Sequence, residues 1–451
     1  MKEYKTIHFI GIGGISMSAL AQIMLDRGAK ISGSDITKSN ITDLLEKKGA
    51  EIFIGHKENN LKDVDLVVYT SAIGEDNPEY MKASANNIPL MERAVFLGKL
   101  MDDYYKSTAI AGTHGKTTTT GMLANIMMNT EIDPTILLGG EYQAMEGNIR
   151  LGKKNYFLTE ACEYKKNFLN FNPYIGVVLN IEEDHLDYFK DIDEIKEAFR
   201  EFAGKVPSYG FLVSNADDEN QKNLYDGLDC NIKTFGIKNN AYAKAVDVKF
   251  NPYPSYDLYI EKEKICHVKL KVPGLHNIYN SLAAATCAYI SGVANCSIKN
   301  GLENFNGTKR RFEYKGNYKS RIIIDDYAHH PTEIKATLDT VSTLTEGNVL
   351  VVFQPHTYSR TEKLLDKFAK SFSSAKKVVL IDIYAAREKN DGRVSSKDLV
   401  AELKKNQVDA VYMESFEKAA EYLMKNSESK DIIMTMGAGD VYKAGDIITN
   451  S

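Results

Sequence analysis

Thr108-Ala-Ile-Ala-Gly-Thr-His-Gly-Lys-Thr-Thr-Thr-Thr120 sets two glycines and a lysine between an apolar run and a run of threonines. The pattern predicts a strand that turns through Gly112 and Gly115 into a helix. A turn of this kind cradles phosphates with the backbone amides of Gly112, Thr113, His114 and Gly115 and with the helix N-terminus, which Thr118 helps to form. Lys116 can then reach the outer phosphates of a nucleoside triphosphate, and the Thr117 hydroxyl can ligate Mg²⁺. Ile110 stands where the longer GxxxxGK[ST] loop has its first glycine, so this is a shorter phosphate loop.

A second glycine turn, Gly11-Ile-Gly-Gly-Ile-Ser16, is followed by Asp35 at the end of the next expected strand. Small residues at Gly11, Gly13 and Gly14 let a diphosphate approach the backbone, and an acid about 20 positions on can accept a ribose hydroxyl. Ser16 replaces the third glycine of the dinucleotide fingerprint, which weakens a dehydrogenase reading. With a triphosphate loop downstream, a second nucleotide such as UDP is the better occupant.

Acids gather at expected strand ends. Glu160 closes one strand, and Asn180-Ile-Glu-Glu-Asp-His-Leu-Asp187 follows another. Strands parallel to the one feeding the phosphate loop open their C-terminal ends onto a common crevice, so Glu160 and His185 are metal candidates beside Thr117. Asp184 and Asp187 are read either as members of this group or as caps of the next helix. Asn277 and Asn280, ahead of an Ala-rich helix, either cap it or offer the donor and acceptor that an adenine edge requires. Arg311 suits a phosphoryl group. The pair His329 and His330 lacks the Cys or carboxylate spacing of a zinc site, while His329 and His356 have the side chain of a general base.

These residues need elements to hold them. Short apolar runs at Ile7 to Ile10, Lys30 to Gly33 and Leu66 to Tyr69 alternate with helix-like stretches, the pattern of a Rossmann-like parallel sheet. A second series begins at Ser107 to Ala111 and continues at Tyr156 to Thr159 and Gly176 to Asn180. Between Phe211 and Val272, β-branched and aromatic alternation predicts an antiparallel edge or insertion. Arg321 to Asp325 starts a third series. The expected fold class is therefore α/β in three domains: a Rossmann-like unit over 1–105, a central P-loop ATPase-type unit over 106–312, and a Rossmann-like unit over 313–451.

Composition agrees with that plan. The 451 residues are 43% hydrophobic and 26% charged, with a net charge of -5 and dispersed Lys and Arg, which argues against a nucleic-acid or membrane-surface partner. Five cysteines, none in a CxxC pair, suit a reducing compartment. The N-terminus runs straight into the first strand and glycine turn without the outline of a leader, and no apolar run approaches the roughly 18 residues of a membrane span. A cytoplasmic protein is expected.

In order along the chain, GIGG, SGSD, TSAI, AGTHGKTTTT, TEACEY, NIEEDH, HNIYN, TKRRFE, DDYAHHPTE, FQPHTYSR and MGAGD resemble the Mur ligase family over the full length. The resemblance implies an ATP-dependent carboxylate-amine ligase of peptidoglycan synthesis that uses Mg²⁺, with Mn²⁺ able to substitute. Its implied partners are UDP-N-acetylmuramate and L-alanine, and the expected state is a monomer or weak homodimer. Carried over by motif, Gly112 to Thr118 bind ATP, Asn277 and Asn280 approach adenine, and Arg311 and Asp326 complete that site. Ser71 joins Gly11, Gly13, Gly14 and Asp35 at the UDP-sugar. Thr117, Glu160 and His185 hold the metal, and Lys116, Glu160, His185, Arg311 and His329 carry the catalysis. Tyr327, His329, His356 and Arg360 take the muramoyl carboxylate and the incoming amino acid. Two departures stand out: Cys162 replaces a family carboxylate while Glu160 and Glu163 remain, and Phe199 and Arg200 lie where sister ligases carry a carbamylated lysine.

Overall fold

The computed structural model describes residues 1–451 apart from Lys2, Lys154 and Arg387. Three sheets follow one another along the chain. The first is formed by β1 (Thr6–Ile10), β2 (Lys30–Asp35), β3 (Glu51–Ile54), β4 (Leu66–Tyr69) and β5 (Leu90–Glu92), in the order β3-β2-β1-β4-β5 and parallel throughout. The order reverses at β1, so a crevice opens where β1 ends and the first glycine turn begins.

The second sheet has ten strands: β6 (Lys106–Ala111), β7 (Thr135–Tyr142), β8 (Gly147–Arg150), β9 (Tyr156–Glu160), β10 (Ile175–Val178), β11 (Phe211–Asn215), β12 (Asn231–Gly236), β13 (Ala243–Phe250), β14 (Pro254–Ile260) and β15 (Glu263–Lys269). Their order is β15-β14-β13-β12-β11-β10-β6-β9-β7-β8. Strand β6 lies between β10 and β9, parallel to both, which brings the ends of all three to one edge of the sheet. Strands β11 and β12 prolong the parallel part, and antiparallel pairing appears only from β13 to β15 and between β7 and β8. The expected change of pattern after Phe211 therefore comes two strands later, where β13 turns back into β14.

The third sheet contains β16 (Glu313–Tyr318), β17 (Arg321–Asp326), β18 (Val349–Phe353), β19 (Lys377–Leu380), β20 (Ala410–Tyr412) and β21 (Ile432–Met436) in the order β16-β17-β21-β18-β19-β20. Only β16 is antiparallel, as half of a hairpin with β17. Every residue of β18 and β21 is buried, the signature of a parallel strand covered on both faces. Apolar side chains from the strands and from helices such as Pro331–Ser342 in the third unit fill the cores. Among the described residues no helix is long and apolar enough to cross a membrane.

Candidate active site

The phosphate loop leaves β6 and enters the helix Lys116–Met127 through Gly115, whose φ of 83° lies in the left-handed region that favours glycine. A Cβ on Gly115 would stand 2.4 Å from the Asn280 amide oxygen, and one on Gly112 would stand 2.9 Å from Leu179. Both glycines are thus required by close approach as well as by φ. The backbone of His114 is held by one side chain: Asn180 Oδ1 accepts from His114 N–H at 2.7 Å, and Asn180 Nδ2 donates to the His114 carbonyl at 3.0 Å.

Lys116, at the first turn of that helix, donates to the carbonyls of Gly112 and Thr113 and to Glu163, at 2.9 Å from its nearer oxygen. Burial alone would lower its pKa, but Glu163 outweighs this and raises it, so the ammonium stays charged. Glu160 lies beside this pair. It accepts from Thr117 Oγ1 at 2.9 Å and from Gly139 N–H at 2.6 Å. A hydroxyl and a carboxylate side by side are the hard oxygen donors that Mg²⁺ prefers, so Thr117 and Glu160 fit such an ion. His185, at a left-handed φ of 52°, puts its Nε2 3.7 Å from Glu163, the carboxylate that also pairs with Lys116. Among the described residues no hydrogen bond joins His185 to Thr117 or Glu160.

A cavity of about 240 Å³ opens behind the loop, lined by His114, Gly115, Thr118, Asn277, Asn280, Arg311 and Asp326 among others. Neither asparagine caps its helix. The helix spans Leu275–Ile290 with Gly274 at the cap, so both amides lie inside its first two turns and bond to one another at 3.0 Å. Asn277 also donates to the Pro273 carbonyl. Phe235, His276 and Tyr279 share the wall; burial depresses the His276 pKa to about 4, which keeps the ring neutral. Asp326 accepts from the Phe312 and Ala328 amides, and burial raises its pKa to about 6 against the pull of Arg311. The capping reading of Asp184 and Asp187 also fails. Asp191 caps the following helix, Asp187 meets the Tyr164 hydroxyl, and Asp184 pairs with Arg360 at 2.8 Å.

On the third sheet, Tyr327, His329, His356 and Arg360 converge. The His329 ring is 5.5 Å from Tyr327 and 5.7 Å from His356, and Arg360 Nη1 is 3.0 Å from His356 Nδ1. His329 Nδ1 lies 3.0 Å from the Tyr327 carbonyl, which can only accept, so Nδ1 carries the hydrogen and Nε2 keeps a lone pair. Burial lowers the His329 pKa to about 3, and the ring is neutral. The third unit docks on the acidic run after β10: Thr332 Oγ1 donates to Glu182, His330 Nε2 donates to the Glu183 carbonyl, Lys367 meets Glu183, and Arg360 meets Asp184.

A carboxylate does approach the histidine pair, which sequence spacing does not reveal. Ligand atoms of His114, Glu182 and His330 lie within 4.8 Å of one another. However, His330 spends Nε2 on Glu183 and Nδ1 on the Thr332 amide, and His114 sits between Glu182 at 3.4 Å and Glu333 at 3.1 Å. Those carboxylates raise the His114 pKa to about 10 against its burial, so the ring carries two hydrogens and offers no lone pair to zinc. Glu333 and Glu182 are functional candidates that the motifs did not single out. A signal existed for Glu333: Pro331 opens the helix and Glu333 stands three residues past its cap His330, the spacing of a capping box.

Across the first sheet, Gly11, Gly13 and Gly14 follow β1, and Ser71 follows β4 beside them, where a Cβ on Gly11 would stand 3.1 Å from Thr70. Asp35 holds the turn, accepting from Gly13 N–H at 2.9 Å. Its other oxygen accepts from Thr37 N–H at 3.3 Å, so each carboxylate oxygen already has one backbone donor.

The sequence matches the Mur ligase family catalytic domain over residues 6–105, the Mur ligase middle domain over 110–288 and the Mur ligase glutamate ligase domain over 310–439. The chain belongs to the Mur ligase family. Within that family it is similar to the UDP-N-acetylmuramate–L-alanine ligase of Acetivibrio thermocellus, 51% identical over 99% of this chain and 96% of that one. It is also similar to the enzyme of that name from Clostridium tetani, 50% identical over 99% and 98%. The crystal structure of the UDP-N-acetylmuramate–alanine ligase of Thermotoga maritima superposes with a TM-score of 0.82 at 29% identity, covering 99% of this chain and 98% of that one. The three-domain α/β fold expected from the ordered motifs is the family's fold.

Proposed function

We propose that this Mur ligase joins L-alanine to the carboxylate of UDP-N-acetylmuramate at the expense of ATP, giving UDP-N-acetylmuramoyl-L-alanine, ADP and phosphate in peptidoglycan synthesis. The observation that carries this reading is the meeting of the phosphate loop and the His329, His356 and Arg360 cluster across the Asn180 to His185 segment. Near-half identity along the whole chain to ligases of that name supports it. The units run over 1–105 for the UDP-sugar, 106–312 for ATP and 313–451 for the amino acid, and the enzyme works in the cytoplasm as a monomer or weak homodimer.

A carboxylate does not react with an amine in water, because an oxide is an impossible leaving group. The muramoyl carboxylate attacks the γ-phosphorus of ATP, the bond to the β-phosphate oxygen breaks, and an acyl phosphate and ADP result. Lys116 and Arg311 supply positive charge where the transferring group gains negative charge. Thr117, Glu160 and His185 would hold Mg²⁺ or Mn²⁺, which when bound offsets the charge of the polyphosphate. Alanine reacts as its free amine: one N–H donates to Nε2 of neutral His329, the nitrogen adds to the acyl carbon, and the proton it sheds leaves with the phosphate. Phosphate then leaves as the amide forms. Asn277 and Asn280 face adenine, Asp326 completes the nucleotide site, and Arg360 with Tyr327 and His356 orients the carboxylates. Gly11, Gly13, Gly14, Asp35 and Ser71 bind the UDP-sugar. Docking of the third unit keeps water from the acyl phosphate.

The test is phosphate release with UDP-N-acetylmuramate and each amino acid in turn. Release that depends on L-alanine and on the free lactyl acid is expected. Equal turnover with a UDP-muramoyl peptide would overturn the assignment.

A further inference from the structure

Glu333 is 13% exposed and faces four groups from three parts of the chain. Its Oε1 lies 3.1 Å from His114 Nδ1 in the phosphate loop and 3.8 Å from Arg311 in the segment before the third sheet. Its Oε2 accepts from the backbone N–H of His329 and of His330, at 3.2 and 3.4 Å, and lies 3.4 Å from His329 Nδ1. A carboxylate in this place is more than a helix cap. Capping needs only an acceptor for the two amides, and a neutral amide side chain would supply one. The charge answers to His114, whose backbone is held at both N–H and C=O by Asn180. Burial would raise the Glu333 pKa, but His114, His329 and Arg311 outweigh it and hold the carboxyl well below its usual range, so the pair with His114 is ionic at neutral pH.

We propose that Glu333 is a positioning residue that ties the phosphate loop to the loop bearing His329, so that the geometry of the nucleotide loop sets where the amine's hydrogen-bond acceptor stands. This rests on the reading of His329 as that acceptor. The consequence concerns the second half-reaction. If the tie is cut, the acyl phosphate still forms but waits for the amine; water then adds to it, returning the free acid and phosphate, and ATP is consumed without amide.

Glu333→Gln keeps the acceptor and removes the charge. It should raise the ratio of ADP to amide from one to about two or more and raise the alanine KM about tenfold, a uniform-binding and alignment loss. UDP-N-acetylmuramate binding by calorimetry should stay within about twofold, because that ligand rests on the first sheet. His114→Gln should give the same signature. The double variant should then be no worse than either single one by more than about threefold, since both cut one link. A ratio that stays at one in Glu333→Gln, or losses that multiply in the double variant, would overturn the proposal and leave Glu333 as a cap. Should Glu333→Gln fail to bind the UDP-sugar because it does not fold, the ratio in His114→Gln decides alone. A wild-type enzyme that makes amide with another amine but not with L-alanine would instead count against the substrate assignment, and the ratios are then read with that amine.

Discussion

The molecule contains two glycine turns of the same plan, strand to turn to helix, and they are held in opposite ways. After β1, Gly11 to Gly14 lead into a helix with no charged residue in its first turn, and Asp35 from the neighbouring strand is the side chain that grips it. After β6, the turn is gripped from all sides: Asn180 takes the backbone of His114, Glu163 takes Lys116, Glu160 takes Thr117, and Glu333 reaches His114 from the third unit. The first turn offers backbone and space, which suits a ligand that is bound and released whole. The second carries charge already balanced by protein, so an incoming polyphosphate must exchange with carboxylates that are in place. Binding and chemistry are thereby assigned to different turns, and substitutions should separate them.

The largest separation is expected at Lys116. Lys116→Ala should lower kcat about a thousandfold or more, as loss of a preorganised charge at a transferring phosphoryl group does. The UDP-sugar affinity measured by calorimetry should be nearly unchanged, and a parallel loss there would show that the two turns share one ligand. Lys116→Arg should not rescue, because a planar fork does not replace a compact ammonium in a tight loop. Next comes Glu160→Gln, which keeps one of the two hydrogen-bond acceptors, turns the other into an amide donor and removes a charge. Turnover should fall about a hundredfold, and titration with Mg²⁺ should recover part of it, the expectation for a lost hard ligand. A loss that Mg²⁺ does not touch would make Glu160 a brace for Thr117 only.

On the first turn, Asp35→Ala should raise the KM for UDP-N-acetylmuramate by about one to two orders of magnitude, or ~1.5–3 kcal/mol, with kcat and the ATP KM little changed. The bond from Gly13 N–H to Asp35 adds to the effect, since the turn loosens when that side-chain grip is removed. Weakened ATP would break the comparison. The smallest effect on turnover is expected beneath that turn, at buried Glu79, which accepts from Ser34 and Asn60 at 2.5 Å and lies 3.5 Å from His8. Burial would raise its pKa, but His8, Ser34 and Asn60 prevail and lower it to about 2. A depressed carboxyl contributes stability that is present above the unfolded value near 4.5 and is lost as pH falls through about 2. Glu79→Gln should therefore destabilise by up to about 3 kcal/mol at pH 7, with kcat of the folded enzyme intact. The gap in unfolding midpoint should close as the pH is lowered toward 2, and a gap that persists would assign the loss to shape instead of charge.

Much of this was legible in the sequence for a physical reason: a buried parallel strand is a continuous apolar run, and a phosphate turn needs glycine at fixed places. Strand β6, the loop after it and the acids at the ends of β9 and β10 were found on those grounds. Contacts between units were less legible. Glu182, Glu333 and the Arg360 to Asp184 pair join residues more than 140 positions apart, and no local period records such a meeting. Asn277 and Asn280 show a different failure. Gly274, with a φ of 95°, starts its helix nearly two turns earlier than the Ala-rich run suggests, which moves both amides from the cap into the helix. Asp184 and Asp187 were open to a capping reading because Asx residues do cap helices, and only the structure shows that Asp191 has that place.

The position of β6 within ten strands carries a last consequence, for the order in which the molecule breathes. With a hydrogen-bonded neighbour on each side and five of its six residues buried, β6 can release its amides to solvent only when the sheet around it comes apart. Strand β15 lies at the edge with most of its residues outside the core, and its amides should exchange with deuterium far sooner. The phosphate loop is thus anchored to one of the last segments to open, and its shape outlasts the fluctuations that loosen the rest of its sheet.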